Sequence, residues 1–278
     1  MFKNILVAVD GSSHSDAAVE YAAYLAAEFG ARIELVYVID WRLLTGHFIT
    51  HFDELLSSKE GESFTERVKH YYRRYGERVI ERARSRANEF GASDVAAKIE
   101  IGKVAKHIIE RAAQADLIAI GQRGEGSEED VGFIGTTTAR VLHSINITAL
   151  VAQPPMREFR RALLAYDGSA PARRAMEALV RLAIAFKLDV DVVHMIEPGK
   201  DMKCLNEASE YLSRYPIFHE AHYLEGDSHL VILEHAKRRE CDVLAMGVYA
   251  DRAVESLALG TTTEAMLGHS HIPVFVHR

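Results

Sequence analysis

The residues best suited to chemistry fall into two short groups, each occurring twice. One is Asp10-Gly11-Ser12, repeated as Asp167-Gly168-Ser169. The other is a glycine-rich stretch, 118–138 (IAIGQRGEGSEEDVGFIGTTT), with a counterpart at 244–263 (LAMGVYADRAVESLALGTTT). In both stretches an apolar run stops at a glycine, a loop follows, and Gly-Thr-Thr-Thr opens a helical pattern. Strand, loop and helix N-terminus in that order present free backbone N–H groups and the positive end of a helix dipole, the means of holding a phosphate. Asp10 and Asp167 read as turn formers or helix N-caps, and a ligand contact is compatible with either. The three threonines of each stretch read as an N-cap cluster whose hydroxyls and N–H groups would also meet a phosphate.

The hydrophobic pattern supplies the scaffold. Residues 4–9 (NILVAV) form a short apolar run, the mark of a strand buried on both faces. Residues 13–30 carry apolar side chains at helical spacing (Ala18, Tyr21, Ala22, Leu25, Phe29), with Gly30 as the stop, and 32–39 is a second strand. An excursion without a clean period runs from about 40 to 63, before a long charged helix at 64–90 that Gly91 closes. Strand 96–101, helix 104–115, strand 116–120, helix 136–144 and strand 147–151 follow, and Gln153-Pro154-Pro155 reads as a linker. The pattern then restarts: 162–169 repeats 5–12 at an offset of 157, and 272–276 closes as a fifth strand. These spacings predict an α/β protein of two tandem domains, 1–153 and 157–278. Each is a doubly wound, five-stranded parallel sheet with helices on both faces, its ligands outside the C-terminal strand ends.

Composition narrows the function. Apolar residues make up 48% and charged residues 26% of the 278, a globular balance. No uninterrupted apolar run is long enough for a membrane span, and the N-terminus reads as a strand rather than a leader. The net charge of −7 divides into −4 for residues 1–156 (18 basic, 22 acidic) and −3 for 157–278 (15 basic, 18 acidic). Neither half is basic, so nucleic acid is not the expected partner. Cys204 and Cys241 are the only cysteines, which fits a reducing cytoplasm.

The paired Asp-Gly-Ser and the Gly-x-x-Gly, nine-residue gap, Gly-Ser/Thr signature resemble the universal stress protein family, in both halves of the chain. The resemblance implies a Rossmann-like fold of the adenine nucleotide alpha-hydrolase type. It also implies a bound adenine nucleotide (ATP, ADP or AMP), with Mg as an accompanying ion, and a regulatory role in the stress response. By position it points to Asp10, Val38, Gly121, Gly124, Gly135, Thr136 and Thr137 in the first half. In the second it points to Asp167, Met195, Gly247, Gly260, Thr261 and Thr262. Dimers of the family pair through the fifth strand, so 147–151 and 272–276 are expected to join the halves as an internal pseudo-dimer, and a homodimer of the whole chain is compatible with the resemblance.

Both halves depart from the signature. Ten residues separate Gly124 from Gly135, and Glu125, Glu128, Glu129 and Asp130 make that loop acidic, with Arg123 placed to offset it. The second half keeps the nine-residue gap but has Ala250 at the second glycine, where glycine would allow a left-handed backbone and close approach to a phosphate. The first half, with all three glycines, is the better-kept site.

Other groups carry weaker signals. His47 and His51, and His219 with His222, have spacings of metal ligands but no further motif, so they read as surface or packing histidines, as do His269 and His271. Trp41, just after the second strand, is placed to reach a nucleotide base. The remaining aromatics of the excursion (Phe48, Phe52, Phe64, Tyr71, Tyr72) read as local packing. Arg78, Arg82, Arg84 and Arg86, alternating with Glu77, Glu81 and Glu89, read as a solvated helix face. No catalytic or metal-binding motif is present, which favours binding over catalysis. Slow ATP hydrolysis or self-phosphorylation on Thr136, Thr137 or Ser127, and a nucleotide-free scaffold, stand as alternatives.

Overall fold

In the computed structural model, which describes residues 2–45, 63–127, 132–196, 203–248 and 259–278, the apolar runs become strands and the 3.6-period stretches helices. The first half runs β1 (Asn4–Ala8), α1 (Ser13–Phe29), β2 (Arg32–Asp40), α2 (Arg42–Thr45), α3 (Phe64–Glu89), β3 (Val95–Gly102), α4 (Val104–Ala112), β4 (Leu117–Gly121), α5 (Thr136–Ser144) and β5 (Thr148–Ala152). The second half runs β6 (Arg161–Ala165), α6 (Ala170–Phe186), β7 (Asp189–Met195), α7 (Lys203–Leu212), β8 (His219–Leu224), α8 (Ser228–Arg238), β9 (Val243–Gly247), α9 (Thr261–His269) and β10 (Val274–His277). His47, His51, Phe48, Phe52, Glu128–Asp130 and Ala250 lie outside the described residues. None of the described helices is long and apolar enough to cross a membrane.

The ten strands among the described residues form one sheet, in the order β3-β2-β1-β4-β5-β10-β9-β6-β7-β8. Pairing is parallel within each half and antiparallel between β5 and β10, where Val274, Phe275 and Val276 face Val151, Leu150 and Ala149. The fifth strands therefore meet as expected, and each covers an edge the other half would otherwise expose. The strands near the middle are buried throughout, which is why they read as unbroken apolar runs.

Helices cover both faces. α1, α3, α6 and α7 pack one core, α4, α5, α8 and α9 the other. Across the junction on the first face, Tyr21 stacks on Phe159 (5.6 Å) and Tyr24 on Phe186 (4.6 Å). The Tyr21 hydroxyl accepts a bond from the Arg157 N–H (3.1 Å). Burial pushes this phenol up to about 12, against the Arg157 backbone bond, which lowers it. A raised folded-state value means the stabilising contribution is complete below the ordinary tyrosine value of 10 and disappears as pH climbs to about 12. Over that window the chain is expected to lose roughly 2–3 kcal/mol through this residue. Urea titrations from pH 9 to 12 should show that component missing in Tyr21→Phe.

The charged face of α3 is largely the solvated face expected of it, with Glu77, Arg78, Glu81, Arg82 and Glu89 exposed, but one side of it reaches α1. Arg82 pairs with Asp16 of α1, Arg86 bridges Asp16 (3.0 Å) and Glu20 (2.7 Å), and Arg84 Nε is buried without a hydrogen-bond partner. Two of its arginines, Arg82 and Arg86, thus dock on the acids of α1.

Candidate functional site

Each Asp-Gly-Ser forms the same turn. The Asp10 carboxylate accepts from the Ser12 N–H (2.9 Å), and Asp167 accepts from the Ser169 N–H (2.9 Å). Gly11 (φ +95°) and Gly168 (φ +78°) take the left-handed conformation between them. Ser12 and Ser169 are the N-caps, their hydroxyls accepting from the N–H of Ser15 and of Ala172 at 3.1 Å. The aspartates are thus turn formers rather than caps, and each stands at the mouth of its half-sheet.

In the first half β1 and β4 are neighbours whose connections leave in opposite directions, the switch point at which an open α/β sheet offers a crevice. A cavity of about 330 Å³ lies there, lined by Asp10, Val38, Gly121, Gly124, Gly135, Thr136 and Thr137, all seven expected positions. Val36, Val104, Ile108 and Ile120 supply an apolar wall. The second half repeats the arrangement between β6 and β9. Its cavity of about 340 Å³ is lined by Asp167, Met195, Gly247, Gly260, Thr261 and Thr262.

The glycines serve close approach rather than unusual dihedrals. A Cβ on Gly124 would lie 2.6 Å from Asp10 Oδ2, and one on Gly121 would lie 2.9 Å from the His14 backbone. Neither residue has a positive φ, so the left-handed reason for a glycine at Gly124 does not hold. Asp10 Oδ2 also accepts from the Glu125 N–H (3.0 Å), which ties the loop to the first strand. At Gly247 a Cβ would sit 2.4 Å from the Ala172 nitrogen and 2.7 Å from the Pro171 carbonyl carbon. Both are backbone atoms of α6 that can retreat only if the helix shifts. Gly247→Ala is expected to cost about 1–3 kcal/mol in urea unfolding, and a wild-type midpoint would disprove the close fit.

The helices that open at these cavities are capped by glycine rather than threonine. Gly135 and Gly260 are the N-caps of α5 and α9, and neither helix has a side-chain cap bond. Thr138 instead donates its hydroxyl to the Gly121 carbonyl (2.8 Å), pinning the helix to the end of β4. The first-turn amides of Thr136 and Thr137 are left to meet whatever occupies the cavity, with the dipole favouring an anion.

Charge in the first cavity comes from Asp10, Asp40, Glu125 and Arg123. Arg42 beside Asp40 holds that carboxyl below its ordinary range against the opposing effect of burial. Glu125 accepts from the Tyr75 hydroxyl (3.1 Å). Arg123 donates to the carbonyls of Phe133 (3.2 Å) and Gly268 (3.3 Å), and Gln122 donates to the carbonyls of Leu267 and Gly268. The loop is thus fastened across the junction to α9 of the other half, a role the sequence reading did not give Arg123. Trp41 is not among the lining residues; Leu43, from α2, is. Ser15, Tyr37 and Asp40 are further lining residues that no motif marked. In the second cavity His194 and Tyr166 are additions, with His194 Nδ1 2.7 Å from the Tyr166 carbonyl and 3.2 Å from Cys204 Sγ.

Half-sheets of order 3-2-1-4-5, each with its cavity at the switch point, define a Rossmann-like α/β protein of the adenine nucleotide alpha-hydrolase type. Residues 1–153 and 200–278 match the model of the universal stress protein family, and the chain belongs to that family. It is 25% identical over 288 aligned positions to universal stress protein Slr1230 of Synechocystis, covering 99% of this chain and 100% of that protein. Universal stress protein MJ0531 of Methanocaldococcus jannaschii is 28% identical over 57% of this chain and 86% of its own length. Among solved structures, a universal stress protein from Archaeoglobus fulgidus superposes with a TM-score of 0.78 at 22% identity, covering 99% of this chain and 98% of that one.

Proposed function

We propose that this chain binds an adenine nucleotide in the first-half cavity and acts in the cytoplasm as a stress-response regulator, through conformation or partner contacts. The observation that supports it best is the meeting of all seven expected positions around one cavity, beside a helix N-terminus without a side-chain cap. Its volume falls within the range of small-molecule sites. The apolar wall suits a base, Asp10 a sugar hydroxyl, and the amides of α5 the phosphates. The residues present fit such a ligand, and the second-half cavity offers the same frame with Asp167, Gly247, Gly260 and Thr261. On this reading the chain divides into nucleotide-binding domains at 1–153 and 157–278.

Titration of the purified chain with ATP, ADP and AMP, with and without Mg²⁺, tests the proposal by thermal and urea unfolding. At a hundredfold excess over the dissociation constant, stability is expected to rise by about 2.7 kcal/mol. The stoichiometry tells one site from two. Thr136→Glu provides the control. A carboxylate in the first turn favours the helix dipole, so the fold should hold or gain slightly. It repels phosphate by about 1 kcal/mol in water and several-fold more near a protein surface, so affinity should fall at least about tenfold. A midpoint that ignores every adenine nucleotide would sink the proposal.

A further inference from the structure

The two halves differ in chemistry at three equivalent positions away from the cavities. In the first half Glu34, Lys98 and Arg111 meet as an ion-pair group, with Arg111 Nη1 2.5 Å and Lys98 Nζ 4.0 Å from Glu34 Oε1. The strand registers place Asp191 where Glu34 stands and His222 where Lys98 stands: Leu6 pairs with Glu34 as Leu163 does with Asp191, and Val36 with Lys98 as Val193 does with His222. His235 lies as far past its N-cap, Asp227, as Arg111 lies past Lys103. One structural group, Glu-Lys-Arg, has thus become Asp-His-His.

We propose that Asp191, His222 and His235 form a binding site for a divalent transition-metal ion of the zinc type. One ligand atom from each lies within 4.8 Å of the other two. His222 Nε2 stands 3.3 Å from Asp191 Oδ1. Two ligands at 2.0–2.1 Å from a tetrahedral ion are about 3.3 Å apart, so this pair already has the separation a shared ion would impose. The second, independent observation is His235 itself. The residue is 3% exposed, and its Nε2 is buried with no hydrogen-bond partner among the described residues. Buried polar atoms without partners are rare and call for a ligand or a penalty.

The surroundings prepare these groups for coordination. The His235 and His222 rings lie 4.8 Å apart between centroids, close enough to share one ion. Burial of Asp191 would raise its carboxyl, but bonds from Arg161 (3.1 Å) and Arg239 (2.9 Å) outweigh this and hold it ionised. Those guanidiniums then act as the outer partners that orient a ligating carboxylate. Arg161, Arg238 and Arg239 bring three positive charges against Asp189, Asp191 and Glu220, so the site is not strongly acidic. Imidazole nitrogen rather than excess carboxylate must therefore supply the affinity, which selects zinc-type ions over Mg²⁺ or Ca²⁺. Arg238, an exposed residue, donates to His235 Nδ1 at 3.1 Å. Coordination through Nε2 places a proton on Nδ1, and the Arg238 guanidinium swings out to water.

The test is a competition titration of the chelator-stripped full chain with ZnCl2 and a chromophoric chelator. The comparison variant is His222→Lys/His235→Arg, which restores the residue types that pack at these positions in the first half. Wild type is expected to bind zinc, with the variant at least about 100-fold weaker at this site, beyond the loss from an outer partner alone. Co²⁺ should give the intense visible absorption of a four-coordinate ion in wild type only. His235→Gln carries the same expectation if circular dichroism shows the double variant unfolded. No zinc bound by the wild type overturns the proposal, and so does equal affinity and stoichiometry in a folded variant. Neither outcome depends on a nucleotide.

Discussion

Asp191→Ala is expected to destabilise the chain by about 3–5 kcal/mol in urea unfolding, measured with a chelator present so that no metal contributes. The carboxylate is fully buried on β7 and accepts from Arg161, Arg239 and His222. Removing it leaves the two guanidiniums with one carboxylate each, Asp189 for Arg161 and Glu220 for Arg239. They are 26% and 30% exposed, so water relieves part of the penalty, and the lower end of the range is the better expectation. The pH dependence has a definite sign. Because the folded-state value lies below the ordinary 3.8, the contribution is complete above that value and is lost as pH falls through the lower folded one. Acid titrations of wild type and Asp191→Ala should therefore converge below pH 3.8 and run parallel at neutral pH. A neutral-pH difference under about 1 kcal/mol would mean the arginines find equal partners elsewhere.

Phe275→Ala should cost a comparable amount, about 3–5 kcal/mol. The ring is 1% exposed on β10, opposite Leu150 of β5, and meets Phe159 edge to face at 6.2 Å. A cavity there opens beside the strand pair that joins the half-sheets, under the aromatic group that holds α1 to α6. Calorimetry should show one cooperative transition in wild type and a lowered, broader one in the variant. An unchanged midpoint would show that the junction does not depend on this packing. The same variant tests the communication between halves, since Gln122 and Arg123 of the first loop grip the end of α9.

Much of the candidate site was legible because its residues sit next to strand ends. Asp-Gly-Ser and Gly-Thr-Thr-Thr mark turns and helix starts through local backbone needs, and local needs are written in short stretches of sequence. Which atom does which task was not legible. The N-caps fell to Ser12, Ser169, Gly135 and Gly260, while Asp10 accepts from the Ser12 and Glu125 amides and Thr138 donates to the Gly121 carbonyl. Trp41 was placed by sequence next to the pocket, yet α2 turns Leu43 toward it instead. The α3 arginines alternate with glutamates as a solvated face would, and only docking on α1 shows their acidic partners.

The amino-acid sequence alone determined the duplication, the alternation of strand and helix, and the two strand-end loops that line the cavities. Those follow from periodicity and turn chemistry, which act over a few residues. Tertiary structure decided the rest: that β5 and β10 join ten strands into one sheet, that a loop of one half is held by a helix of the other, and that Asp191, His222 and His235 come together. Residues separated by 31 and 13 positions meet there because parallel pairing brings β8 beside β7 and α8 packs back across them. No local pattern encodes a meeting that depends on where the chain returns.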